Sequence, residues 1–158
     1  MVKEIRLKEI GKVHSENGSF FIELDPRYKS GLTNLQGFSH LQIVWWGNLS
    51  VDDERSEILV NKKPYKNGPE ELGVFATRSE YRPNPILITN IYVQEIDIDK
   101  CRIYTPYIDS EEGTPVLDIK PYHLSERVKE CIVPIWCEHW PKWYEDAADF
   151  DWENEFNF

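Results

Sequence analysis

Apolar positions along the chain fall into short runs separated by turn-forming residues, a spacing that predicts strands and few helices. Ile5, Leu7, Ile10 and Val13 mark a first extended segment. Asn17-Gly18 separates it from Phe20-Phe21-Ile22-Glu23-Leu24. An Asn-Gly pair between two apolar runs predicts a hairpin, because both residues tolerate positive φ. Residues 25–39 are turn-rich, with Pro26, Gly31 and Gly37, and Leu41-Gln42-Ile43-Val44-Trp45-Trp46 reads as a buried strand stopped by Gly47-Asn48. Ser50 is placed as the cap of a short helix running through Glu57, with Asp52, Asp53 and Glu54 in its first turn. Residues 61–73 read as a polar loop, followed by the apolar Val74-Phe75-Ala76. Ile86, Ile88, Ile91 and Val93 predict one long strand over 85–98. Residues 101–108 predict another, with Pro106 pushing it towards an edge or a bulge, and 116–119 a further short one. A helical stretch is expected over 125–132, ended by Pro134. Six or seven short strands make the expected fold mostly β, a single small closed β-barrel with short helices. The barrel domain is assigned to residues 1–140, and an acidic aromatic tail to 141–158.

That tail carries Glu145, Asp146, Asp149, Asp151, Glu153 and Glu155 with no bases after Trp143, interleaved with Trp143, Tyr144, Phe150, Trp152, Phe156 and Phe158. It reads as a frayed acidic terminus, as a segment docked on a neighbouring surface, a dimer partner included, or as a transient arm. The whole chain has 158 residues and a formal charge of −10, which argues against broad, non-specific nucleic-acid binding and leaves room for a local basic site. Cys101, Cys131 and Cys137 give no disulfide framework, which fits a reducing cytosol. No stretch approaches the length of a membrane span, and the start of the chain mixes acid and base without an apolar core, so a cytoplasmic protein with no membrane partner is expected.

The common catalytic and cofactor motifs are missing. There is no G-x-G-x-x-G, and Gly68 and Gly73 have phosphate-loop spacing but are followed by Val74-Phe75 where Lys and Ser or Thr are required. Cys131, Cys137 and His139 lack the spacing and fourth ligand of a structural zinc site, so no metal is expected. Two segments carry chemistry instead. In Gly73-Val74-Phe75-Ala76-Thr77-Arg78-Ser79-Glu80-Tyr81-Arg82-Pro83-Asn84-Pro85-Ile86 two prolines stiffen a loop bearing Arg78, Ser79, Arg82 and Asn84, a set suited to holding a carboxylate or phosphate. The competing structural reading is an arginine pair neutralising local acids such as Glu80. In Asp109-Ser110-Glu111-Glu112-Gly113-Thr114-Pro115-Val116-Leu117-Asp118-Ile119-Lys120-Pro121-Tyr122 a tight turn follows a carboxylate pair. Glu111 and Glu112 there suit a cationic ligand or ribose hydroxyls, and an ordinary solvated turn is the equal alternative.

These two segments, with Leu35-Gln36-Gly37-Phe38-Ser39-His40-Leu41 upstream, resemble the TsaA-like family, whose characterised members include tRNA methyltransferase O. The resemblance covers residues 6–122. It implies a small β-barrel that binds S-adenosylmethionine between two subunits of a homodimer and methylates N6 of N6-threonylcarbamoyladenosine at position 37 of certain tRNAs. Arg78 matches the arginine of the family's loop, Ile86 and Leu87 follow as cofactor-contacting backbone, and Glu111, Glu112, Gly113, Thr114 and Pro115 match the turn that contacts the cofactor. Asn48 stands in the pair after the central aromatic strand and joins that cofactor-binding set. Arg82, Asn84 and Lys120 are the candidates for holding the methyl acceptor. The chain departs from the family pattern at Glu112, where Asp is usual, at Leu87, where Gly is usual, and at Gly47-Asn48, where a His-Gln-type pair is usual. An early Arg-Gln-Pro-Gly loop is missing. His14, His40, His123 and His139 lie outside both segments, so no general base is evident. Two alternatives stand beside tRNA methylation: a cofactor-binding module without transfer activity, and a methyltransferase acting on a small molecule.

Overall fold

The computed structural model describes residues 4–157, so residues 1–3 and Phe158 of the acidic segment lie outside the described residues. Asn17 and Gly18 adopt φ of 51° and 80° and turn β1 (Gly11–Glu16) back onto β2 (Ser19–Leu24), with Glu16 opposite Ser19. The anticipated hairpin forms because these two residues accept the left-handed backbone of the tight turn. Further along lie β3 (His40–Trp46), β4 (Val60–Lys62), β5 (Glu71–Gly73), β6 (Ile86–Tyr92), β7 (Glu95–Asp97), β8 (Arg102–Thr105) and β9 (Pro115–Pro121). Seven of them form one antiparallel sheet in the order β6-β3-β9-β1-β2-β8-β7, while β4 and β5 pair separately.

The sheet is open, which corrects the expected closed barrel. Its edge strands β6 and β7 share no ladder, although they follow one another in the chain. The reason lies at Val93-Gln94. The Val93 N–H donates to the Ser39 carbonyl at 2.9 Å, on the β3 side, and the Gln94 N–H to the Tyr104 carbonyl at 2.9 Å, on the β8 side. The single strand anticipated over 85–98 is therefore two strands that change partners at that point and occupy opposite edges.

Three smaller corrections follow from local forces. The short helix is α1 (Asp53–Ser56), and its cap is Asp52, whose carboxylate accepts from the Arg55 N–H at 2.9 Å, not Ser50. Residues 125–132 form no helix beyond a 3-10 turn at Leu124–Glu126. Leu124, Val128 and Ile132 are all exposed, so a helix there has no apolar face to bury. The polar stretch 61–73 contains the ends of the β4–β5 ladder, which Lys62–Glu71 and Lys63–Glu70 pairs flank.

The chain forms two compact units: residues up to Val51 with Asn84–Arg127, and Asp52–Pro83 with the chain from Val128 onwards. The first holds the seven-stranded sheet. Alternation along β3 turns Leu41, Ile43 and Trp45 inwards, where they meet Val13, Ile22, Leu24, Ile91, Ile103 and Val116. The second is organised around aromatic rings. Tyr65 stacks on Trp136 at 5.1 Å between centroids, with Trp140 and Phe156 at 5.2 and 5.7 Å. Trp152 joins through Trp140 at 5.4 Å and Phe150 through Trp152 at 4.7 Å. The acidic segment is thus docked on its own chain: Tyr65 and Phe156 form a β-bridge, and the Lys66 N–H donates to the Glu155 carbonyl at 2.9 Å. Among the described residues, no helix is long and apolar enough to cross a membrane.

Candidate functional site

Strands β6, β3 and β9 lie side by side and bring several of the singled-out residues to one end of the sheet. Trp46 faces Ile86, and Trp45 faces Leu87 on one side and Val116 on the other. Register shifts between Val44 and Trp45, leaving Leu117 as an extra residue in β9, a bulge at the start of the strand beside Gly113-Thr114-Pro115. Just past β3, the Gly47 N–H donates to the Pro85 carbonyl at 2.8 Å and Asn48 opens a 3-10 turn. Asn48, Ile86, Leu87 and the Gly113–Pro115 turn therefore gather at the same strand ends. Asn84 is exposed just before them, its carbonyl taken by the Ile86 N–H at 2.7 Å. Lys120 lies further along β9, opposite Gln42 and paired with Asp118 at 2.6 Å, which raises its pKa.

Leu87 does not crowd this end by accident. A Cβ built on Gly47 would lie 2.9 Å from Leu87 Cδ1 and 3.4 Å from Pro85 Cβ. Leu87 thus occupies the space that a side chain at position 47 would need. Gly47→Ala is expected to lower stability alone and to cost much less in a Leu87→Ala background, with a coupling of about 1 kcal/mol between the two. Denaturant titration of the four chains checks this, and additive losses would show that the two positions do not share space.

The carboxylate turn is tied to β1. Gly113, at φ 79°, donates its N–H to the Val13 carbonyl at 2.8 Å, and the Val13 N–H returns to the Thr114 carbonyl at 2.9 Å. The Glu112 carboxylate takes the Ser15 N–H at 2.5 Å and contacts His14 Nδ1 at 2.7 Å. These contacts, the Ser15 N–H first, hold its pKa below the ordinary value. Glu112 is thereby engaged within the chain, its carboxylate bonded across to β1. Glu111 is exposed and offers only its carbonyl to the turn, accepting from the Thr114 N–H at 3.2 Å. Next to it the Ser110 hydroxyl oxygen is buried without a hydrogen-bond partner. The sequence places His14 outside both segments and does not show its contact with Glu112, because 98 residues separate the two.

The arginine loop belongs to the second unit and is tied to itself. Thr77 Oγ1 donates to the Val74 carbonyl at 2.8 Å and accepts from the Ser79 N–H at 3.3 Å, and Ser79 Oγ accepts from the Tyr81 N–H at 3.2 Å. Arg82 Nη1 reaches the carbonyls of Ser79 at 3.3 Å and Thr77 at 3.5 Å. Arg55 sits over the Tyr81 ring at 4.7 Å. Arg82 is therefore the staple of the loop, while Arg78 stands exposed on it. Tyr65, which the sequence did not single out, accepts the Arg78 backbone N–H at its hydroxyl. Burial pushes this phenol's pKa up, the Cys137 thiol adds to that, and the Arg78 N–H works against both.

The model of the tRNA-methyltransferase O N-terminal domain matches residues 11–126. A relative in Pyrococcus horikoshii named "Probable S-adenosyl-L-methionine-binding protein" is 36% identical over 116 residues, covering 73% of this chain and 80% of its own. The Escherichia coli tRNA (adenine(37)-N6)-methyltransferase is 32% identical over 117 residues, 73% of this chain and 49% of the enzyme. The crystal structure of TrmO from Pseudomonas aeruginosa superposes with a TM-score of 0.63 at 24% identity, over 82% of this chain and 61% of that one, a likeness of fold. This chain thus spans about half the length of the Escherichia coli enzyme.

Proposed function

We propose, since this chain belongs to the family of the tRNA-methyltransferase O N-terminal domain, that it binds S-adenosylmethionine and methylates N6 of threonylcarbamoyladenosine-37 in tRNA, as a homodimer in the cytoplasm. The observation that carries this reading is the extent of the match: residues 11–126 include every strand among the described residues, the arginine loop and the carboxylate turn. The donor set suits the ligand. In one unit Arg78 offers an exposed guanidinium to a carboxylate, and in the other Glu111 offers an exposed carboxylate to ribose hydroxyls or a positive sulfonium. Ile86 and Leu87 supply apolar surface at the strand ends.

When bound, S-adenosylmethionine would supply an already activated methyl group, whose transfer to N6 would break the S–CH3 bond, leave a neutral thioether and release one proton from the nitrogen. The protein's task is then placement more than activation. Glu112 and His14 hold the carboxylate turn still. Arg82 holds the arginine loop in shape, so Arg78 presents its charge from a fixed backbone. Asn84 and Lys120 remain the acceptor-side candidates.

Calorimetric titration of S-adenosylmethionine into the purified chain is the test, followed by label transfer to tRNA carrying the threonylcarbamoyl group. Saturable binding near one per subunit with transfer to that tRNA is expected, and absence of binding at millimolar cofactor would overturn the reading. Binding without transfer to any RNA would favour a cofactor-binding module, the activity named for the Pyrococcus relative. Transfer that is insensitive to salt would point to a small-molecule acceptor, because RNA binding weakens steeply with salt.

A further inference from the structure

We propose that residues 128–157, which lie wholly beyond the family match, brace the arginine loop, and that Tyr65 is the positioning residue through which they act on Arg78. The proposal rests on the reading of Arg78 as a donor-binding residue. Tyr65 is only 8% exposed, and its ring is enclosed by Trp136, Trp140 and Phe156, all three from the later segment. The enclosing rings are themselves fixed. Trp140 Nε1 donates to the Glu155 carboxylate at 2.9 Å, and His139 Nε2 meets the same carboxylate at 2.9 Å.

The backbone on either side of Tyr65 is held by the same segment. The Asn157 N–H donates to the Pro64 carbonyl at 3.1 Å and the Asn157 amide to the Lys63 carbonyl at 2.7 Å. On the other side the Lys66 N–H donates to the Glu155 carbonyl at 2.9 Å, and Lys66 Nζ to Asn154 Oδ1 at 3.1 Å. Held at its backbone and around its ring, the Tyr65 side chain has one group left to act outwards, the hydroxyl, and that oxygen takes the Arg78 N–H. The loop's other ties run among Val74, Thr77, Ser79, Tyr81 and Arg82. Tyr65 therefore anchors, at Arg78 itself, a loop that is otherwise tied mainly to itself. A rigid guanidinium gains affinity because less freedom is lost when it captures its ligand.

Tyr65→Phe in the full chain removes the hydroxyl and keeps the rings packed. It is expected to speed amide hydrogen exchange at Arg78 by roughly tenfold while leaving Lys66 unchanged, and to weaken S-adenosylmethionine binding by roughly three- to tenfold. Phe156→Ala, which loosens the brace from its far side, is expected to move both readouts in the same direction. In an Arg78→Ala background, Tyr65→Phe should cost no further affinity, because its effect passes through that side chain. Unchanged exchange at Arg78, or an affinity loss that adds fully to that of Arg78→Ala, would overturn the proposal. So would faster exchange with unchanged cofactor affinity. If the unaltered chain binds no S-adenosylmethionine, the proposed function fails, and the exchange at Arg78 decides the brace by itself.

Discussion

Arg78→Ala is expected to raise the dissociation constant for S-adenosylmethionine by roughly ten- to hundredfold, the loss of a charge-assisted hydrogen-bond pair to a carboxylate. Arg82→Ala should cost less, because the Arg82 guanidinium bonds to the loop carbonyls of Ser79 and Thr77 and acts on the ligand only through the loop. A donor fragment without the amino-acid arm, 5′-methylthioadenosine, discriminates further. Its affinity should be nearly the same in Arg78→Ala as in the unaltered chain. Titration of both ligands into the three proteins checks the assignment. Equal or reversed losses for the two arginines, or an equal loss for the armless fragment, would remove Arg78 from the carboxylate.

Glu155→Gln is expected to lower the thermal midpoint of the Asp52–Pro83 and Val128-onwards unit by several degrees near neutral pH, an effect that shrinks in acid. The Glu155 side chain is buried, and donors from Trp140 first and His139 second hold its pKa below the ordinary value of 4.5. A carboxyl with a lowered folded-state pKa binds protons less readily folded than unfolded. Its contribution is therefore complete above about pH 4.5 and fades as pH falls through the lowered value. The unaltered chain should lose stability below that pH, and Glu155→Gln should lack this part of the slope. Thermal melts of both chains between neutral pH and pH 3 test it (the range is set by that roughly 4.5 threshold). Parallel curves throughout would show that the carboxylate contributes nothing specific.

What the sequence makes legible is what neighbours in the chain decide. Asn17-Gly18 announces its hairpin because the turn depends on two adjacent residues. The inward alternation of Leu41, Ile43 and Trp45 marks β3 because burial on one face imposes a period of two. The strand over 85–98 reads as continuous because β-branched residues persist through it, while the switch at Val93-Gln94 depends on Ser39 and Tyr104, whose positions periodicity does not carry. Closure into a barrel fails on the same ground. The β4–β5 ladder escapes notice because charged residues, not apolar ones, flank it.

The candidate site divides in the same way. The arginine loop and the carboxylate turn stand out as contiguous segments, and their match to a family gave them roles. The residues that hold them do not stand out, because the hydrogen bond of His14 to Glu112 and that of Arg78 to Tyr65 join distant or unremarkable positions. The acidic segment is legible in composition and misleading in consequence. Its charges suggest a frayed end, yet Phe156 packs against Tyr65 and the Glu155 side chain is buried, while Trp143 and Tyr144 stay exposed.

The place of β9 in the sheet bears on how the chain is made. It pairs with β3 on one side and β1 on the other, and among the described residues no other ladder joins β6-β3 to β1-β2-β8-β7. Yet β9 is the last strand of this sheet to leave the ribosome. A chain that has emerged only as far as residue 114 can form two groups of paired strands, β6-β3 and β1-β2-β8-β7, linked through Val93-Gln94 but by no ladder, with the edges that β9 will cover still bare. Assembly of the sheet is therefore a late event in synthesis, and a chain halted before Pro115 exposes two strand edges that invite pairing with other chains.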